Sequence, residues 1–163
     1  MRNFAIIYAS MSGNTEAMVR YIVQGMREKG ATVDVTDIFE LTEGTLGLEK
    51  YDGILIGTYT WMDGDVPDEF LSFFESLPNR DLRGQKAAVF GSYESFYGNE
   101  GAAIDLFTDA LKTAGAEVVL PPLKIELSPE PDEVINCIAY GKKFVSKFDE
   151  SIRSSRKKSF HLS

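Results

Sequence analysis

The sequence predicts a doubly wound α/β domain: a five-stranded parallel sheet with helices on both faces. Three observations predict it. Short apolar runs rich in Val, Ile and Ala recur along the chain, as strands buried on both faces require. Segments of helical period separate them, and such alternation with right-handed crossovers makes a parallel sheet. Finally, 163 residues suit one domain, large enough to fold without a disulfide or a metal.

The first strand is read over residues 3–8, where Phe4-Ala5-Ile6-Ile7-Tyr8 is too short for a signal core or a membrane span. A Gly-containing turn leads into a helix over 15–29, with Met18, Val19, Ile22, Val23 and Met26 on one face and Gly30 ending it. Residues 32–37 read as a second, less buried strand because charge interrupts them, and 38–52 as a weak helix or loop. Gly53-Ile54-Leu55-Ile56-Gly57 is the third strand. Pro67 opens a helix to residue 77, since proline suits a first turn. Residues 87–91 form the fourth strand. A helix over 101–114 follows, with Ile104, Phe107, Leu111 and Ala114 on one face. Glu117-Val118-Val119-Leu120 begins the fifth strand, Pro121-Pro122 breaks it, and Leu123-Lys124-Ile125 resumes it. Pro131 leads into the last helix, with Val134, Ile138, Val145 and Phe148 inward. Residues 1–150 thus form one domain, and 151–163 a basic tail expected to fray.

Net charge is −8, and the tail holds Arg153, Arg156, Lys157 and Lys158 with no acid, which leaves −12 on residues 1–150. Phosphate backbones would be repelled by such a body, so nucleic acid is excluded as a partner. A basic protein surface suits it, because charge complementarity speeds encounter; plain solubility is the other reading of the same acids. One cysteine, Cys137, permits no internal disulfide and no multi-cysteine metal site, and fits a cytoplasmic setting. It stands among apolar neighbours, where a core role is expected. His161 lies in the tail and carries no chemistry.

Ligands of doubly wound sheets bind beyond the carboxyl ends of the strands, near the topological switch point. The loops after strands one, three and four are therefore the places for chemistry. The first reads Ser10-Met11-Ser12-Gly13-Asn14-Thr15 and opens the first helix. Hydroxyls cluster there with free backbone N–H groups, which makes either an anion site or an ordinary Ser/Thr cap. It lacks the Lys of a Walker loop and the spacing of the dinucleotide fingerprint. A phosphate would rely on neutral donors and a helix dipole contributing about 0.3–1 kcal/mol, at most about 2. The second, Thr58-Tyr59-Thr60-Trp61-Met62-Asp63-Gly64-Asp65, puts the sole tryptophan in a polar turn, to be covered by something flat, by its own loop or by a protein partner. The third, Gly91-Ser92-Tyr93-Glu94-Ser95-Phe96-Tyr97-Gly98-Asn99-Glu100-Gly101, adds aromatics at the same end. Two aromatic loops flanking one anion site leave room for a planar ring with a phosphate.

With these three loops the chain resembles the flavodoxins over nearly its whole length, and its lack of a long insertion in the last strand is similar to the short-chain group. The resemblance implies the strand order 2-1-3-4-5, a three-layer flavodoxin-like sandwich, and one non-covalent FMN. It implies phosphate binding by Ser10, Ser12, Asn14 and Thr15 and by the backbone N–H groups of Met11 and Gly13. It implies Trp61 over one face of the isoalloxazine ring and Tyr97 over the other. Backbone groups of Glu94, Asn99 and Gly101 would meet the pyrimidine edge, Thr58 and Thr60 the ribityl chain or ring edge, and Tyr59, Asp63 and Ser92 complete the loops. Two residues depart from the family pattern. Met62 stands where glycine is common and would resist positive φ by roughly 1–2 kcal/mol, so the half-reduced flavin is expected to be less stabilised. Tyr93 occupies a slot where small residues are common.

The function so implied is that of a low-potential, one-electron carrier, not a turnover enzyme. It would shuttle electrons as a monomer between a flavin reductase and acceptor enzymes. Acids in the loops (Asp63, Asp65, Asp68, Glu69, Glu94 and Glu100) would lower the potential of the anionic reduced ring. A carboxylate about 10 Å away contributes about 0.4 kcal/mol at the dielectric of water and about 1.7 at an effective 20. The alternative on the same scaffold is an FMN-dependent quinone or nitro-group reductase, which NADPH alone would reduce. A phosphoacceptor domain would need acids where Ala9-Ser10 and Gly57-Thr58 stand, and a phosphatase of this topology a cysteine in the first loop.

Overall fold

The computed structural model describes residues 2–41, 47–98 and 100–161; the side chains of Tyr97 and of residues 150–161 lie outside the description. The strands are β1 (Asn3–Tyr8), β2 (Thr32–Asp37), β3 (Gly53–Tyr59), β4 (Lys86–Tyr93), β5 (Glu117–Val118) and β6 (Leu123–Glu126). The helices are α1 (Asn14–Glu28), α2 (Asp68–Ser76), α3 (Ala102–Thr113) and α4 (Pro131–His161). The sheet runs β2-β1-β3-β4-β5 and every pairing is parallel.

The fifth position of that order is a strand in two pieces. β5 pairs with Lys86 and Ala87 at the start of β4, and β6 pairs with Phe90 to Tyr93 at its end. Pro121-Pro122 lies between them, as ring-locked φ angles and missing N–H groups dictate. The Tyr140 hydroxyl, from α4, donates to the Pro121 carbonyl at 2.8 Å and holds the break in place.

Side chains alternate across the sheet into two cores. Ile54 and Ile56 of β3 join Phe70 and Phe73 of α2 and Phe107 and Leu111 of α3 on one face. Leu55 joins Phe4, Ile6 and Phe90 with Met18, Ile22 and Met26 of α1 and Phe144 of α4 on the other. Cys137 is fully buried in that second core. Burial, with a smaller push from Glu133, raises its thiol to about 12, so it is packing and not a nucleophile.

Two stretches differ in extent from the sequence reading. Residues 38–52 carry two short 3-10 turns, Ile38–Glu40 and Leu48–Lys50. The segment expected to fray from residue 151 continues the last helix through His161. It contains no Gly or Pro, and cationic residues near a helix C-terminus are favoured by the dipole. Among the described residues no helix is long and apolar enough to cross a membrane.

Candidate cofactor site

The first loop leaves β1 and enters α1 at Gly13, whose φ of 88° is the left-handed conformation that glycine adopts without strain. Gly13 has no side chain to close the helix start, so the N–H groups of Asn14 and Thr15 are left for another acceptor. Ser10 Oγ accepts from the Glu16 N–H at 3.2 Å, which folds the loop back while leaving the hydroxyl proton free to donate. Met11 and Ser12 are exposed, and Asn14 is half-buried.

Thr15 sits deeper. Its hydroxyl and that of Ser92 share a hydrogen bond at 2.8 Å, and both residues are buried. The bond ties the first loop to the end of β4, two segments 77 residues apart. Two hydroxyls carry two protons and the bond uses one, so one remains for a further acceptor.

The second loop is a tight turn. The Gly64 N–H donates to the Trp61 carbonyl at 2.8 Å, and the Trp61 N–H to the Asp65 carbonyl at 3.0 Å. Gly64, at φ 85°, supplies the positive φ of the turn. Met62 does not, and its side chain is 51% exposed at the tip. Asp63 is exposed and Trp61 half-buried, its ring centroid 6.3 Å from that of Tyr59. Tyr59 turns away from the rim: its hydroxyl donates to Glu69 of α2 at 2.6 Å. Burial, the Glu69 bond and the nearby carboxylates push its phenol well above the ordinary value. Thr60 Oγ1 accepts from the Ala103 N–H at 3.3 Å, docking the loop on the start of α3. Thr58 departs from expectation. It is fully buried and its hydroxyl donates to the Tyr59 carbonyl at 2.8 Å, so it belongs to the sheet and presents no surface at the rim.

The third loop leaves β4 with Tyr93 half-buried and Glu94 exposed. The Ser95 hydroxyl bonds Glu126 at the end of β6. Phe96 is 90% exposed. The backbone of Tyr97 closes a 3-10 turn, while its ring, and Asn99 entirely, lie outside the described residues. Gly101, at φ 81°, caps the start of α3. The structure thus brings the first and third loops together through Thr15 and Ser92, and the second and α3 through Thr60.

The flavodoxin family model matches residues 6–141 of the chain. A relative from Bacillus subtilis named as probable flavodoxin 2 is 40% identical over 147 residues, which is 90% of this chain and 97% of the relative. The solved structure of oxidised flavodoxin 1 from Bacillus cereus superposes with a TM-score of 0.84 at 46% identity, covering 88% of this chain and 97% of that one. A short-chain flavodoxin associated with a bacterial microcompartment gives 0.83 at 28% identity, covering 90% and 99%. The chain belongs to the flavodoxin family.

As a flavodoxin it binds FMN and carries electrons to and from redox proteins; it is not a turnover enzyme. The donor set fits that group. An open helix start, a left-handed glycine and neutral hydroxyls suit a phosphate without a lysine. Acid surrounds the same end: Tyr8, closing β1, has its phenol raised by burial first and then by Asp37, Glu16 and Glu40. Sequence reasoning missed the roles of Gly64 and Glu69, although Asp63-Gly64 is a turn signal that could have marked the first. The exposure of Phe96 had no signal in the sequence.

Proposed function

We propose that the three loops divide the work of holding FMN between them. The phosphate lies at the start of α1 on Ser10, Ser12, Asn14 and Thr15 and on the N–H groups of Met11 and Gly13. The ring lies between Trp61 and Tyr97, with Glu94, Asn99 and Gly101 along its polar edge and Thr60, Met62 and Asp63 at the turn beside it. FMN supplies the one-electron chemistry. The chain orients it, excludes water from one side with Trp61, and lines the approach with carboxylates.

The observation that carries this reading is the buried Thr15–Ser92 pair, which fixes a hydroxyl-lined floor under the open helix start. The FMN-binding unit is residues 1–150, and the basic segment 151–163 stands outside it. The acidic end favours redox partners with basic surfaces, a flavin reductase as donor and acceptor enzymes in turn. The carrier acts as a monomer in the cytoplasm.

Titrating the apoprotein with FMN and with riboflavin tests the phosphate half. FMN is expected to bind at least about tenfold more tightly, a difference of about 1.4 kcal/mol. Thr15→Val and Ser12→Ala are expected to shrink that ratio while riboflavin binding changes less. Equal affinity for the two ligands in the wild-type protein would remove the phosphate assignment.

A further inference from the structure

Among the described residues the methionines fall into two groups. Met18 and Met26 have no exposed surface and lie in the core beneath α1. Met11 is 63% and Met62 51% exposed. These two thioethers stand on separate loops, one opening α1 and the other at the tip of the turn after β3, and both loops border the cofactor end. Phe96 and Leu127, 90% and 50% exposed, enlarge the apolar surface there. The acids Asp63, Asp65, Glu94 and Glu100 are exposed around it.

We propose that Met11 and Met62 are two oxidation sites at the cofactor end, where a hydroperoxide reversibly disables docking of partner proteins. The thioether sulfur takes one oxygen atom from hydrogen peroxide. The O–O bond breaks and an S–O bond forms. Sulfur is oxidised by two electrons, and the peroxide is reduced to water. A flexible, polarizable apolar side chain adapts well to partners of different shape, and the sulfoxide is polar and chiral. Docking must strip or replace the hydration of the new oxygen, a cost the apolar thioether does not carry. Sulfoxide reductases of the two stereochemical classes reverse the change. Docking at this end rests on the proposed function; the selectivity of oxidation does not.

Holoprotein treated with limiting hydrogen peroxide and mapped by peptide mass spectrometry is expected to gain sulfoxide at Met11 and Met62 at least tenfold faster than at Met18 and Met26. Comparable rates at all four, or an inert Met62, overturn the proposal. Electron transfer from the photoreduced protein to cytochrome c, a basic haem protein, is the second readout. Oxidation is expected to raise its apparent KM at least fivefold, with the limiting rate nearly unchanged and FMN retained through gel filtration. Incubation with both reductases is expected to restore it. The M11L/M62L variant, compared with itself before and after peroxide, is expected to show no response. A variant that responds as strongly as wild type overturns the assignment, as does release of FMN on oxidation. Failure of the untreated wild-type protein to retain FMN at all is a separate result, and it strikes the cofactor reading instead.

Discussion

At the end of the sheet where the strands begin, aromatic side chains close on one another; at the end where the strands finish, several large apolar side chains stay exposed. Phe4, Phe144 and Phe148 meet edge-on there, with centroids 5.0 to 5.8 Å apart. Arg2 and Lys86 lie over the Phe148 ring at 5.4 and 5.1 Å, and Arg2 also pairs with Asp149 at 3.1 Å. At the other end Met11, Met62, Phe96 and Leu127 are left exposed, and the start of α1 has no side-chain cap at Gly13. The same parallel sheet produces both ends. In a doubly wound fold each crossover helix begins above the carboxyl ends of the strands, so helix N-termini and their free N–H groups gather at one end. The opposite end has no such gathering of donors.

Glycines test that contrast most directly, because one at each end is pressed by neighbours. A Cβ on Gly91, near the cofactor end of β4, would lie 1.9 Å from the Thr58 carbonyl oxygen. The obstacle is backbone in a paired strand, so Gly91→Ala is expected to destabilise by about 3 kcal/mol and to weaken FMN binding. A urea midpoint within experimental error of wild type, at unchanged m, would contradict this. At the strand-start end a Cβ on Gly53 would lie 2.6 Å from Phe4 and 2.8 Å from both Phe144 and Phe148. Those obstacles are side-chain atoms and not backbone, so Gly53→Ala is expected to cost less, about 1–2 kcal/mol, and to leave the FMN-to-riboflavin ratio unchanged. A larger loss than at Gly91 would mean that the aromatic end is the more rigid of the two.

Met62→Gly acts on chemistry more than on stability. Positive φ in the turn resides at Gly64, and Met62 has none. Bound flavin that draws the peptide after residue 62 into a positive-φ turn would work against the Met62 side chain. Removing it is expected to raise the first one-electron potential relative to the second by about 40–80 mV, the equivalent of roughly 1–2 kcal/mol. Spectroelectrochemical titration of both proteins decides it, and an unchanged separation would leave Met62 without a role in tuning.

The closed end was legible in the sequence, and the open end only in part. Continuous apolar runs and helices of period 3.6 follow from local pattern, so β1, β3, β4 and α1 appear where expected, and even the break at Pro121-Pro122 was readable from missing donors. The loops were located by topology, yet which atoms face one another was not. Thr58 and Tyr59 looked like cofactor residues because their loop resembles the flavin loop of the flavodoxins. The strand extends through them, buries the first and turns the hydroxyl of the second to Glu69. The Thr15–Ser92 bond joins residues far apart in the chain, and no periodicity encodes such a contact.

Charge gives the smallest effect, and it lies on the strand-start side. The exposed Asp81 carboxylate accepts from Arg83 Nε at 2.8 Å, from its terminal nitrogen at 2.7 Å and from its backbone N–H at 3.2 Å. The Arg83 side-chain bonds, then the backbone bond, hold the Asp81 carboxyl down to about 2. A depressed carboxyl stabilises the folded state above the unfolded value near 3.9 and loses that contribution as pH falls through about 2. Solvent screens so exposed a pair, so the benefit at neutral pH is slight. Asp81→Asn is therefore expected to lower the urea midpoint marginally at pH 7, less in 1 M salt, and not at all near pH 2. A difference between the two proteins that grows below pH 4 would show that Asp81 acts through something other than its bonds to Arg83.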